Sequence, residues 1–148
     1  MNGFGTILCR FWPVMNACSL LEDKGFLVRE IDPEATVYEA VRLMDSYKVG
    51  ALMVVEDERL VGVISERDYT RKVVLNNRSS KTTVVREIMT ENPVTVSPRA
   101  DLEECMGVMA EQRVRHLPVT EAGQVLGVIS STDLLKLAIQ QKDYVIEQ

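Results

Sequence analysis

The sequence predicts an α/β protein built from two copies of one small unit, with two β-sheets packed together, helices flanking them and a pseudo-two-fold relation between the copies. Three observations carry this. The run GVISERD at Gly62–Asp68 recurs as GVISSTD at Gly127–Asp133. Sliding the chain by 65 residues aligns 31–70 with 96–135 without a gap, and 13 of the 40 aligned positions are identical. The hydrophobic pattern also changes from helical to strand-like at the same places in both copies.

The elements follow in order. The start, FGTILCRFWPVMNACSLL, is apolar but interrupted by Arg10, Pro13 and Asn16. A membrane-spanning helix needs roughly 20 uninterrupted apolar residues. A signal peptide carries its positive charge before a clean apolar run, whereas Arg10 lies inside this one. Residues 1–14 are expected to form a loosely held arm or an over-extended start, with Met15 as an alternative beginning and Trp12 as a packing anchor. The first unit is expected over residues 15–77. It has a short strand (REI), then a helix in ATVYEAVRLMDSYK, where Val37, Ala40, Val41 and Met44 make one apolar stripe. Strand ALMVVE, turn DER and strand LVGVIS follow, then a helix in ERDYTRKVVL.

Polar residues 78–84 read as a turn-rich connector. The second unit, residues 85–140, repeats the plan after a short amphipathic helix in VVREIMTEN. It has VTV, then a helix in ADLEECMGVMAEQR with Leu102, Cys105, Met106 and Met109 on one face. HLPVTE, AGQ, VLGVIS and a helix in STDLLKLAIQ follow, and residues 141–148 form a tail. Each unit alone is too small to bury its sheet, so the two are expected to pair through their sheets.

Composition narrows the function. The chain is 46% hydrophobic and 26% charged, ordinary for a soluble protein, with net charge −5 and pI about 5.0. A nucleic-acid-binding surface would need a basic stripe, so no nucleic-acid partner is expected, and no membrane partner either. Cys9, Cys18 and Cys105 are odd in number and lack metal-ligand spacing. They are expected to be free, buried or semi-buried thiols in a reducing compartment, hence a cytoplasmic protein. No nucleophile–base pair, metal-ligand set or phosphate-binding glycine loop occurs, so no enzyme activity and no catalytic cofactor are expected.

The repeated Gly-x-x-Ser-x-x-Asp run has its own chemistry. A strand glycine admits a close approach by backbone or ligand. The serine stands where strand becomes helix and suits an N-cap. The aspartate on the first turn offers acceptors to the two hydroxyls of a ribose. The same spacing is also close to a capping box, with Asp in place of Glu, so both readings stay open.

The stretches DPEATVYEAVRLMDSYKVGALMVVEDERLVGVISERD and SPRADLEECMGVMAEQRVRHLPVTEAGQVLGVISSTD resemble cystathionine-β-synthase (CBS) domains. The pair resembles a stand-alone Bateman module over about residues 20–140. The resemblance implies a sheet sandwich with two clefts between the repeats, a regulatory role without catalytic residues, and a disc-like homodimer. It implies an adenosine ligand in the clefts: AMP, ADP, ATP, NAD(H) or S-adenosylmethionine. The last is disfavoured because its sulfonium gains nothing from arginines.

Carried over by position, Asp68 and Asp133 would hold ribose, and Ser65 and Ser130 ribose or phosphate. Lys48, Val49, Gly50 and Ala51 in one copy, and Arg113, Val114, Arg115, His116, Leu117 and Pro118 in the other, would meet the adenine. Ala35, Thr36, Thr95, Val96, Ser97 and Pro98 would close the clefts. Binding would shift the pair or dimer between conformations, with a regulated protein as a further partner.

The copies also differ. Arg67 and Arg71, four apart, would clamp a phosphate beside Asp68 or else form a solvated face pairing with Glu66. The second copy has Thr132 and Lys136 there, and Met53 stands where the second copy has Pro118. Arg78, Ser79, Ser80 and Lys81 would reach a phosphate or form a flexible linker. His116, the single histidine, would contact the ligand, act as a pH-sensitive gate or serve as a structural hydrogen-bonding group.

Overall fold

The computed structural model describes residues 15–147, with side chains described over 15–140. The expectations for the arm 1–14, including Cys9 and Trp12, lie outside the described residues. In chain order the elements are α1 (Ala17–Lys24), β1 (Glu30–Ile31), α2 (Val37–Tyr47), β2 (Ala51–Glu56), β3 (Arg59–Ser65) and α3 (Glu66–Asp68). A π-helical segment, Tyr69–Val74, continues α3. Then come α4 (Val85–Ile88), β4 (Thr90–Glu91), α5 (Leu102–Gln112), β5 (His116–Glu121), β6 (Gln124–Ser130) and α6 (Ser131–Glu147). Among the described residues no helix is long and apolar enough to cross a membrane.

The chain divides into two compact units. The first comprises residues 28–93. Its sheet has the order β1-β2-β3-β4, with β1 parallel to β2 and the other pairs antiparallel. Val37, Ala40 and Met44 of α2 face a core that includes Leu52, Val54, Ile64, Val73, Val85 and Ile88. The second unit comprises residues 94–147 together with 15–27. Its antiparallel β5–β6 pair is extended by a parallel bridge between Val96 and Val119. That bridge matches the Ile31–Val54 pairing of the first unit.

The repeat extends to the details of capping. Thr36 Oγ1 accepts from the Glu39 amide at the start of α2, and Asp101 Oδ1 from the Glu104 amide at the start of α5. Both helices end on a left-handed residue, Lys48 at φ 56° and Arg113 at φ 55°. Both hairpins turn on two residues of positive φ, Asp57–Glu58 and Ala122–Gly123, which matches strand twist.

One arrangement departs from the expected boundaries. The helix before each repeat belongs to the unit of the other repeat. Helix α1, expected with the first unit, joins the second, where Ala17, Leu20 and Leu21 enter the core. Helix α4, expected to open the second unit, joins the first through Val85, Ile88 and Met89. The two anchorings correspond bond for bond. The amides of Ala17 and Cys18 donate to the carbonyls of Ala100 and Pro98, and those of Val85 and Arg86 to Ala35 and Pro33. The cause is the open edge each unit leaves beside its last strand, against which these apolar turns bury Leu21 and Met89.

The connector is ordered, contrary to the flexible-linker expectation. The carbonyls of Thr83 and Ser80 accept from the amides of Val37 and Tyr38, and so satisfy the start of α2. Arg78 bonds Glu87 at 2.6 Å, and Lys81 stands over the Tyr38 ring. The expectation of three free thiols is also corrected. Cys18 is disulfide-bonded, and Cys105 is free and buried.

Candidate functional site

The repeated run folds alike in both units. Strand β3 ends at Ser65 and strand β6 at Ser130, each leading directly into a helix. Asp68 Oδ2 accepts from the Ser65 amide at 2.9 Å and from Ser65 Oγ at 3.1 Å. Asp133 Oδ2 accepts from the Ser130 amide at 2.8 Å. The serine hydroxyls accept in return from the amides of Asp68 and Asp133. These are capping boxes with Asp in the third position.

The next helical amide is satisfied from the preceding strand start. The Glu66 amide donates to the Gly50 carbonyl, and the Ser131 amide to the Arg115 carbonyl. The fold therefore brings together, within each unit, the two segments that sequence similarity marked for ligand contact.

Two lysines complete these sites. Lys72 Nζ lies 3.2 Å from Asp68 Oδ1 and donates to the Ile88 carbonyl at 2.8 Å. Lys24 Nζ lies 2.6 Å from Asp133 Oδ2 and donates to the Val128 carbonyl. Each ammonium thus bridges a carboxylate and a backbone carbonyl, but from different parts of the chain. Lys72 comes from the same helical run, four residues on. Lys24 comes from α1. Burial alone would raise the Asp133 pKa; the bonds from Lys24 and from the Ser130 amide outweigh it and hold the carboxyl below its ordinary value.

The π-helical segment explains how Lys72 reaches Asp68. In α6 the buried positions after Asp133 are Leu134 and Leu137, three apart. The residue matching Leu137 is Lys72. Widening the turn puts Val73 into the core instead, four residues after the packed Tyr69. Lys72 is thereby released toward the carboxylate.

The glycine of the run serves packing. A Cβ on Gly62 would lie 2.6 Å from Met89 Sδ, and one on Gly127 would lie 2.6 Å from Leu21 Cδ2. The close approach is made by the exchanged helical segments.

Arg67 and Arg71 are exposed and make no ion pair among the described residues, with Glu66 or otherwise. Lys48 caps α2 and pairs with Asp45 at 3.6 Å. Val49 and Val114 pack against the cores of their units, and Ala51, Leu117 and Pro118 are buried. Thr95 and Ser97 are exposed, Val96 and Pro98 buried. His116 opens β5, half-buried, in register with Ser130.

Sequence reasoning assigned no role to Lys24 or Lys72. The spacing from Asp68 to Lys72 was a readable signal. The separation of Lys24 from Asp133 left none.

The CBS domain family matches residues 28–75 and 85–139. The chain belongs to the CBS domain family. It is 40% identical over 111 residues to the mitochondrial CBS domain-containing protein CBSX3 of Arabidopsis thaliana, covering 72% of this chain and 54% of that protein. The chain therefore spans about half the length of that relative. A Burkholderia ambifaria protein with CBS domains superposes with TM-score 0.79 at 44% identity, over 84% of this chain and 93% of that one. CBSX2 of A. thaliana in complex with AMP superposes with TM-score 0.67 at 29% identity, over 78% of this chain and 90% of that one.

Proposed function

We propose that this CBS-domain protein is a regulatory module that binds an adenine nucleotide, AMP, ADP, ATP or NAD(H), and performs no chemistry on it. Asp68 and Asp133 receive ribose hydroxyls, the Gly50–Ala51 and Arg115–Leu117 segments meet the base through backbone groups, and Arg67 with Arg71 draws phosphate toward Asp68. The observation that carries this reading is the duplicated site. Each unit places a half-buried carboxylate at a helix start and joins it to the strand start by one hydrogen bond, from Glu66 to Gly50 and from Ser131 to Arg115. The AMP complex of CBSX2 supports the choice of ligand. Binding shifts the balance between two arrangements only as far as the ligand's affinity differs between them.

The reading includes a homodimer. Leu135 and Ile139, four apart on α6, and Met106 on α5 are exposed apolar side chains of one unit. A second copy covering them would bury that surface.

One observation favours a different reading, an interaction module whose aspartates only cap helices: both carboxylates already hold a serine amide and a lysine. Calorimetry with AMP, ATP, NADH and S-adenosylmethionine separates the two. The nucleotide reading expects saturable binding of AMP or ATP that Asp68→Ala or Asp133→Ala weakens. No heat with any of the four would leave the interaction module standing. Light scattering coupled to gel filtration reads the dimer.

A further inference from the structure

The two aspartates hold their lysines on different oxygens. At Asp133, Lys24 and the Ser130 amide converge on Oδ2, and Oδ1 takes no partner among the described residues. At Asp68, Oδ2 already accepts two donors from Ser65, and Lys72 lies against Oδ1. A carboxylate offers about four acceptor places, two on each oxygen. Asp133 as it stands has a whole oxygen open to a ribose hydroxyl. Asp68 keeps one place, on the oxygen that Lys72 faces, too few for the two hydroxyls of a ribose while the lysine stays.

Lys72 is held lightly. Its side chain is 44% exposed, and one carbonyl and one carboxylate hold it. The ammonium end of the pair reaches solvent, which screens it and lets the lysine change partners. Arg67 and Arg71 are two further exposed cations on the same short run, unpaired among the described residues. An anionic group arriving there gives Lys72 a new partner and leaves Asp68 Oδ1 to a hydroxyl. A neutral nucleoside brings no such partner and must break the ion pair unaided.

Resting on the nucleotide-binding reading, we propose that Lys72 is a specificity-determining residue that makes the Asp68 site select phosphorylated over unphosphorylated nucleosides. The Asp133 site, with its open oxygen, lacks this requirement. Within the molecule, the phosphate displaces the lysine that otherwise occupies the ribose acceptor.

The test is calorimetry with adenosine and AMP on the full chain carrying Asp133→Ala, which leaves the Asp68 site alone to report. AMP should bind at least about tenfold more tightly than adenosine, the scale of one charge-assisted hydrogen bond. Adding Lys72→Met should tighten adenosine about tenfold and change AMP less than about threefold, so that the preference collapses. Lys72→Gln, which keeps a polar chain, serves if the methionine variant melts early by circular dichroism. An unchanged AMP-to-adenosine ratio, or a loss of both ligands together, would overturn the gate while leaving nucleotide binding intact. No binding of either ligand to the wild-type chain would overturn the nucleotide reading itself, and the gate with it.

Discussion

Leu21 occupies the space that a side chain on Gly127 would need. A Cβ there would lie 2.6 and 2.7 Å from the two methyl carbons of Leu21, itself fully buried. The matching pair in the first unit is Met89 and Gly62, with the Thr90 carbonyl at 3.0 Å. Neither glycine has a positive φ, so the constraint at both is room for a neighbour.

Alanine at either position should therefore destabilise by overpacking, about 1–3 kcal/mol. Gly127→Ala should cost more, because Leu21 is branched and enclosed, whereas the thioether of Met89 can turn aside. Thermal melts of the two variants check this, at roughly 2–4 °C lost per kcal/mol for a chain of this size. A larger drop for Gly62→Ala would mean that the Thr90 carbonyl, and not the methionine, limits the space.

The internal repeat made much of this fold legible. Strands ALMVVE and HLPVTE fall on β2 and β5 as read, because β-branched runs between turn residues have few alternatives. The exchange of α1 and α4 was not legible. Residues 17–25 correspond structurally to 85–93, an offset of 68 instead of 65, and the two segments share no identical residue. What they share is three apolar positions, Ala17 and Val85, Leu20 and Ile88, Leu21 and Met89, and composition cannot say which unit those side chains enter. The π-helical turn escaped for a related reason. Periodicity places Lys72 on a buried face, and only the competing cost of burying its ammonium shifts Val73 inward.

The Asp133 carboxyl should make stability pH-dependent. Its pKa is lower in the folded protein than in the unfolded chain, so its contribution is complete above the ordinary aspartate value of about 4 and fades as pH falls through the folded value. Asp133→Asn should melt below wild type at pH 7, and the gap should close below about pH 4. Lys24→Met should reproduce part of the gap at pH 7, since Lys24 is one source of the lowering. A gap independent of pH would show that Asp133 acts through packing.

Cys105 should be inert while the protein is folded. It is fully buried on α5, and burial first, then the charges of Glu104 and Asp101, push its thiol up to about 11. At pH 8 almost none is thiolate, and the sulfur lacks access to solvent. A colorimetric disulfide reagent should release no product from Cys105 in native protein and a full equivalent in guanidinium. Mass spectrometry of the labelled peptide assigns the site. Rapid native labelling would place Cys105 at a surface the structure does not give it.

Arg67 and Arg71 test the phosphate part of the proposed function. Both are exposed and, among the described residues, unpaired, so their field is spent on solvent until an anion arrives. Guanidiniums bind phosphate oxygens through paired donors, and at an exposed site that attraction is screened by salt. Replacing both by alanine should weaken AMP binding about tenfold at low salt. Raising the salt to 0.5 M should weaken AMP binding by wild type toward the variant's level and leave the variant nearly unchanged. Adenosine, which carries no charge, should bind both proteins alike at either salt concentration. Equal losses for adenosine and AMP would show that the arginines support the helix run that carries Asp68 and Lys72, and that phosphate is met by other groups.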